Sequence, residues 1–415
     1  MKALVIDFGL CIEHSLALLG NRIDTVYYYV PWQDAFPRFL NALIGRGYED
    51  EGLMRIDRFW DYVDAVDYIV VFDTYLGDLV HFLRQKGYKV FGAGPEEMLE
   101  NDRWYSRKLQ KKLGLPTQET IRLIGFENLK KYLKENENKV VKLNTYRGSL
   151  ETFTHYDYKS SEPLLEHLEV ELSVSKKYVE FIIEDFVGVI EPGYDFYVVD
   201  GEYPDKVLWG YEKKGSGYIA KVENYNEMPK ALLDIAEKYK KVFEKYQART
   251  FYSTEIRVDE RGKGYLIDNC IRVPMPCPSA CEMIVFKNWD EIITQGAEGI
   301  LVNPEIDENI KYVASVSLES EWANEHWLAV EIPEEYRKFI KLRKHLKDGD
   351  KYFAVPGFSS ICAVVGYGST IDEAIEMCIE IANSVKAYQI EYNYTGLQTI
   401  KEDIAKGEEL GLKFY

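Results

Sequence analysis

The residues best suited to chemistry lie in the stretch FYSTEIRVDERGKGYLIDNCIRVP, from Phe251 to Pro274. Its halves have the composition of two adjacent strands joined by the turn DERGKG. The period-2 geometry of a strand puts Glu255 and Arg257 on one face, and Asp268, Cys270 and Arg272 on one face. Two carboxylates with arginines beside them, read together with Lys142 of KVVKLN far upstream, suit Mg²⁺. That hard cation takes oxygen ligands from one or two carboxylates and leaves its other positions to water and nucleotide phosphates. A hairpin with solvated charges on its outer face meets the same pattern. Arg103 and Arg107 are spaced i, i+4 and share a helix face, which fits a basic solvated surface. Gly148, in NTYRGSLETF, brings backbone donors that could close over phosphates, although one glycine makes a poor phosphate loop. The lone Gly9 falls short of the three glycines of a dinucleotide fingerprint. Cys270, Cys277 and Cys281 have no fourth ligand at finger spacing, so zinc is not expected.

A chain of 415 residues, 46% hydrophobic and 14% aromatic, can bury a large core and should divide into two to four lobes. Its 32 tyrosines are expected to serve packing rather than base stacking. The net charge of −18 opposes non-specific nucleic-acid binding, which draws its affinity from Lys and Arg neutralising phosphates. No run of 18 apolar residues occurs, and Asp7 interrupts the apolar start. Neither a membrane span nor a signal peptide is therefore expected. A cytoplasmic protein with six reduced cysteines, monomeric or homodimeric, is the expectation.

Along the chain, KALVID reads as a buried strand, followed by a loop at Gly9 and a helix-like CIEHSLALLG. TVYYYV is a second strand, an amphipathic stretch runs from Phe36 to Val63, and DYIVVFD is a third strand. YLGDLVHFLRQKG predicts a helix closed by Gly87, and KVFG a fourth strand. Alternating strands and helices imply a parallel sheet covered on both faces. GAGPEEMLENDRWYSRKLQKKLGLPTQET predicts two short helices, with Pro95 in a first turn and Asn101 or Asp102 as cap. NLKKYLKEN is then an exposed helix, KVVKLN an edge strand and YVEFIIEDFV a further strand. A hairpin turning near Asp200 and Gly201 is expected next, with a flexible loop around Gly215 and Gly217. A charged helix from Met228 to Tyr246 leads to the central hairpin, and NWDEIITQGAEG is helical. From Tyr312 a mixed α/β piece ends in a strand and a helix capped by Thr370 or Ser369.

In this order the pieces resemble the ATP-grasp superfamily and, along most of the chain, the glycinamide ribonucleotide synthetase (phosphoribosylamine-glycine ligase) family. KALVIDFGLCIEHSLALL is similar to that family's first strand and glycine loop ending in Glu-His. KGYKVFGAGPEEMLENDRWYSRKLQKKLGLPT is similar to its phenylalanine-glycine-proline stretch and following helix. IIEDFVGVIE resembles its hinge, and VVGYGSTIDEAIEMC the helix entry of its C-terminal lobe. The resemblance implies an α/β, multi-lobed ATP-grasp fold. A Rossmann-like pre-ATP-grasp domain would occupy 1–95, and an ATP-grasp domain 96–310 with a small lid lobe at about 118–187. A small mixed α/β domain over 311–415 would pack on that core. By the same resemblance Arg103 stands at a phosphate-binding lysine, and Lys142 at the strand lysine that contacts nucleotide phosphates. Glu184 and the Phe186 and Val187 backbone would bind adenine, and Glu191 the ribose hydroxyls. Glu255 and Asp268, 13 positions apart, match the metal pair, and Arg272 an arginine near the phosphates.

The activity implied is ATP-dependent joining of a small-molecule carboxylate to an amine through an acylphosphate. ATP and Mg²⁺ are the implied cofactors, with Mn²⁺ as a substitute. Departures gather on the acceptor side. The loop FGLCIEH keeps only Gly9, Glu13 and His14, leaving His14 as either a structural ring or a polar group of the acceptor site. Cys270 stands at a metal-ligating asparagine and is a soft, poor partner for Mg²⁺, so Asn269 or water would have to serve in its place. VPMPCPSACE and FSSICAVV replace further family segments, which points away from phosphoribosylamine as substrate. Two alternatives stand beside the small-molecule ligase: the same chemistry on a DNA base or other macromolecule, and nucleotide binding without turnover.

Overall fold

The computed structural model describes residues 1–31, 40–145, 152–213, 216–393 and 395–415. Gly148, Gly215 and the part of the Phe36–Val63 stretch before 40 lie outside the described residues.

Five short strands form the first sheet: β1 (Lys2–Ile6), β2 (Thr25–Tyr29), β3 (Leu53–Ile56), β4 (Tyr68–Val71) and β5 (Val90–Phe91). All are parallel, in the order β3-β2-β1-β4-β5. After its exposed first residue, Lys2, the central β1 is apolar because both faces are covered: Leu4 and Ile6 enter one core cluster, Ala3 and Val5 the other. β3 corrects the expected amphipathic stretch. Its four residues LMRI include an exposed Met54 and carry no readable alternation, so pairing with β2 makes the strand.

The second sheet is antiparallel: β6 (Thr120–Ile124), β7 (Lys139–Leu143), β8 (Thr152–His155) and β9 (Glu180–Asp185), in the order β6-β9-β7-β8. KVVKLN was expected at an edge, yet β7 is flanked by β8 and β9. Pairing of non-adjacent segments is invisible to local pattern. Helices Phe126–Glu135 and Tyr158–Leu172 cover one face, with Leu129, Leu133, Leu165 and Leu168 packing on Val141, Leu143, Phe181 and Ile183. Alternation therefore turns Lys142 and Glu184 to the opposite face.

Six further strands follow: β10 (Pro192–Val199), β11 (Lys206–Lys213), β12 (Gly217–Asn224), β13 (Arg249–Val258), β14 (Gly264–Cys270) and β15 (Tyr312–Glu319). The last quarter adds β16 (Leu328–Glu331), β17 (Ile340–Leu342), β18 (His345–Asp348), β19 (Lys351–Ala354), β20 (Ser360–Gly368) and β21 (Lys386–Ala387). The largest sheet runs β14-β13-β10-β11-β12-β15-β20-β17, so the C-terminal segment extends the same sheet that carries the central hairpin. A small sheet, β18-β19-β16-β21, completes the set. Helix Lys230–Tyr246 packs Leu232, Ile235, Tyr239 and Phe243 in the cluster that holds Tyr194, Phe196 and Tyr252; these three tyrosines are 0% exposed, as the packing reading requires. Helix Ile371–Ser384 begins with a full capping box of Thr370 and Glu373. Helix Cys277–Val285 had no helical signature: its prolines mask it, but Pro278 in the first turn gives up no helical hydrogen bond. Among the described residues no helix is long and apolar enough to cross a membrane.

Glu13 and His14 have separate structural roles. Glu13 accepts from Arg337 (2.7 Å) and from the Leu342 amide (3.3 Å), joining the first sheet to the C-terminal segment. His14 is 4% exposed and packs between Phe72 and Trp289, with ring centroids 5.7 and 5.9 Å away. Burial pushes the ring's pKa down to about 3, so it is a neutral packed ring at physiological pH.

Candidate active site

β13 and β14 place Glu255 directly opposite Asp268, and Ser253 opposite Cys270. One step further the register jumps to Ile256 opposite Leu266, so Ile267 bulges out of the ladder. The Asn269 expectation is overturned: Asn269 is 3% exposed, accepts from the Tyr252 hydroxyl (3.0 Å) and donates to Ser106 (3.0 Å). Strand alternation sends it to the buried face, away from Asp268 and Cys270.

Two cations meet Asp268. Lys142, 2% exposed, donates to Asp268 Oδ2 at 2.9 Å and lies 3.6 Å from Glu184 Oε2. Arg103, also 2% exposed, has Nε 3.4 Å from Asp268 Oδ1 and donates through Nη1 to the Leu143 carbonyl at 2.6 Å. Asp102 starts the arginine helix Arg103–Lys112 by accepting from the Tyr105 amide (2.8 Å), while Asn144 at the end of β7 accepts from the Trp104 amide (2.7 Å). The helix is thereby tied to the smaller sheet. Its arginine face is not solvated, which corrects the expectation of a basic surface.

One turn on, Arg107 pairs in fork geometry with Glu184 (3.1 Å for Nη2 to Oε2) and donates to the Leu266 carbonyl (3.2 Å) and to the Ile267 carbonyl. The bulge presents those carbonyls. Burial pushes the Glu184 carboxyl up, but the charges of Arg107 and Lys142 outweigh it and leave the group below its ordinary value. Thr120 also donates to Glu184, at 3.4 Å. Beyond β9, Phe186 is 43% exposed and stacks on Tyr156 (centroids 6.1 Å apart), with Val187 half-buried behind it. Gly188 turns the chain into the large sheet with φ +70°; a Cβ there would lie 2.7 Å from that of Arg257. Glu191 pairs with Arg257 at 2.7 Å.

Arg272 is gripped from two elements: Glu100 of helix Met98–Asn101 accepts from its Nε (2.9 Å), and Asp73, just past β4, lies 3.4 Å from its Nη1. Glu100 also accepts from the Ile271 amide (2.7 Å). Sequence reasoning missed Asp73, Glu100 and the role of Arg107. Asp73 follows the C-terminal end of a parallel strand, where α/β sheets bind ligands, and that position was the available signal. Glu100 had none. Glu191, Glu255, Asp268, Cys270 and Arg272 line one cavity of about 250 Å³.

A small antiparallel sheet thus points a lysine at a carboxylate pair on a larger sheet, beside a parallel α/β sheet, and this architecture is the ATP-grasp fold. Among solved structures, the chain is similar to the phosphoribosylamine–glycine ligase of Thermotoga maritima, with a TM-score of 0.72 at 17% identity over 95% of this chain and 99% of that one. The biotin carboxylase domain of Hydrogenobacter thermophilus 2-oxoglutarate carboxylase, in complex with MgADP, ADP and bicarbonate, gives 0.65 at 14% identity, covering 97% of this chain and 98% of that one. An L-amino acid ligase from Bacillus licheniformis gives 0.59 at 14% identity, covering 95% and 99%. No protein-family model matches the chain, and no curated protein does. At these identities the likeness establishes the fold.

Proposed function

We propose that the chain is an ATP-dependent carboxylate–amine ligase. The observation that carries this reading is the meeting of Lys142 and Arg103, from the small sheet and its adjoining helix, with Asp268 of the Glu255–Asp268 pair on the large sheet. The ligases and the MgADP-bound carboxylase domain that share the fold support it.

The donor set fits magnesium. Among the described residues no three His, Cys, Asp or Glu side chains gather as an all-protein metal cage. Two facing carboxylates are the set expected of a hard cation that takes its other oxygens from phosphate and water. Glu255 and Asp268 would hold it, and the bound ion would neutralise phosphate charge. Lys142 and Arg103, which pair with Asp268, would turn to the phosphate oxygens. Arg272 would face the γ-phosphate, the Glu184, Phe186 and Val187 segment the adenine, and Glu191 the ribose. A carboxylate oxygen of the first substrate attacks the γ-phosphorus as the bridging P–O bond breaks, giving an acylphosphate and ADP. The amine nitrogen then attacks the acyl carbon, phosphate leaves, and the nitrogen's proton passes to phosphate or solvent. Such a transition state asks for positioned positive charge rather than a protein nucleophile.

The test is release of ADP and phosphate that requires Mg²⁺, a carboxylate and an amine together, scored across a substrate panel. Lys142→Met is expected to lower kcat/KM for ATP about 10²-fold, the loss of one charge-stabilising contact; an unchanged kcat/KM removes the lysine from the site. Cys270, half-buried in the cavity lining, favours a second reading, nucleotide binding without turnover. Tight Mg-ATP binding with no ADP released from any pair would select it. A nucleic-acid substrate is disfavoured, because among the described residues that line the cavity carboxylates surround a single cation, Arg272.

A further inference from the structure

From Ile340 to Lys347 the sequence IKLRKHLK, which makes β17, a turn and the start of β18, holds four cations. Ile340 and Leu342 enter the core, so alternation turns Lys341 and Arg343 to the opposite face. Lys347 pairs with Glu51, and just upstream Arg337 pairs with Glu13. Among the described residues Lys341, Arg343 and Lys344 pair with no carboxylate at ion-pair distance. Asp7 bears on Lys344 from further off, and its Oδ2 accepts from the Gly9 and Cys11 amides (3.0 and 2.9 Å) and the Tyr28 hydroxyl; Glu319 bears on Arg343 in the same way.

Arg343 is fixed in place and open along one edge. Its guanidinium lies over the Phe358 ring, 4.5 Å from the centroid, and Nη1 donates at 3.0 Å to Ser360 Oγ, which is itself 3.0 Å from Ser317 Oγ. Nε has no hydrogen-bond partner among the described residues, and Nη2 donates to none of them. By that same Nε–Nη2 edge Arg249 grips Asp200, both bonds 2.9 Å, and Arg107 grips Glu184. Two parallel N–H bonds of this kind match the two oxygens of a carboxylate. Lys344 sets a second charge on the Phe358 ring, its Nζ 4.9 Å from the centroid. Burial pushes Arg343 down to about 10, which leaves it charged at neutral pH beside a like charge, and an incoming anion relieves both costs.

The position suits a substrate. Arg272 and Cys277 are among the groups whose charge bears on Arg343, together with Cys11 of the loop after β1. Arg272, Met275, Pro276 and Pro278 line the cavity that Asp268 lines, and Cys11 Sγ lies 3.6 Å from Met275 Sδ. Arg343 thus stands at the crevice beyond the carboxyl end of β1, where α/β sheets bind ligands, next to the Arg272–Pro278 stretch of the candidate active site. Arg343, Lys344, Phe358 and Ser359 are each half-buried, so the group reaches solvent.

We propose that Arg343, with Lys344 beside it, binds a free carboxylate that one substrate carries in addition to its reacting group: either the amine is an amino acid or the acid is a dicarboxylate. The proposal rests on the ligase reading, which sets the reacting groups beside Glu255 and Asp268.

Calorimetric titration of the full chain with Mg-ADP separates the two sources, using pairs that differ only in the end group: β-alanine against n-propylamine for the amine, and succinate against n-butyrate for the acid. In one pair the member with the extra carboxylate is expected to bind at least about tenfold tighter, the worth of one charge-assisted hydrogen bond. That ratio should fall toward one in Arg343→Met and shrink in Lys344→Met. Ratios near one in both pairs for the native chain, or a ratio untouched in both folded variants, overturn the proposal. The native ratios decide even where a variant does not fold. Tighter binding of O-phosphoethanolamine than of β-alanine would assign the edge to phosphate and overturn it, and so would a loss of Mg-ATP affinity in Arg343→Met, which sets the arginine at the nucleotide. ADP released as readily with n-propylamine and n-butyrate as with their anionic counterparts sinks the proposal and leaves the ligase standing. A carboxylate preference lost in Arg343→Met, with no ADP released from any pair, keeps the site and removes the ligase.

Discussion

Asp268→Asn is expected to lower ADP release about 10²–10³-fold, the largest catalytic effect of any single isosteric change in this chain. The amide keeps the shape of the carboxylate and can still accept from Lys142, now 2.9 Å from Oδ2, but it removes half of the negative charge of the Glu255–Asp268 pair, which on the proposed reading holds the metal. Lys142 and Arg103 are each 2% exposed, so the change also weakens the pairing of two buried cations, with Glu184 still 3.6 Å from Lys142. A loss of about 1–3 kcal/mol in folding free energy should accompany it, small against the total of a domain this size. An ADP-coupled assay and a urea titration measure the two separately. Full activity in a folded variant would show that Asp268 holds no metal.

Arg107→Met is expected to have the largest effect on stability, about 3–5 kcal/mol, because it strands Glu184 in the interior without its fork partner. Lys142, 3.6 Å away, offsets part of the loss. In the native protein the Glu184 carboxyl is held below its ordinary value. Its contribution is therefore present above the unfolded-state value of about 4.3 and is lost as pH falls through the lower folded value. With Arg107 gone, burial prevails and the folded value rises, so the penalty is felt at neutral pH and relieved on acidification. The stability gap between native and variant should start to narrow as pH falls through the variant's raised folded value and go on narrowing below about pH 4.3, where the native contribution is lost. Urea midpoints at a series of pH values test the sign. The double variant Arg107→Met with Glu184→Gln should recover much of the loss, since removing both charges leaves no uncompensated one. Equal gaps at all pH values would mean that Glu184 is not the group left stranded.

The hairpin shows both what local pattern discloses and where it stops. Glu255, Asp268, Cys270 and the turn between the strands were legible because alternation depends only on neighbours in the chain. The bulge at Ile267 was not, because a register shift is a property of two strands together, and it is the bulge that offers carbonyls to Arg107. Arg103 and Arg107 show the same divide. Their spacing put them on one helix face, yet whether that face met water or carboxylates depended on β9 and β14, distant in sequence.

What the amino-acid order determined by itself is therefore local: the parallel strand–helix alternation of the first sheet, the capped helices and the carboxylate pair. Only the tertiary structure decided that β7 is an interior strand, that the C-terminal segment extends the large sheet, that Asn269 faces the core, and that Glu100 and Asp73 grip Arg272. The reason is physical. Helical and strand periods are set by backbone geometry within a few residues, whereas burial, strand pairing and ion pairing are set by which distant surfaces come together.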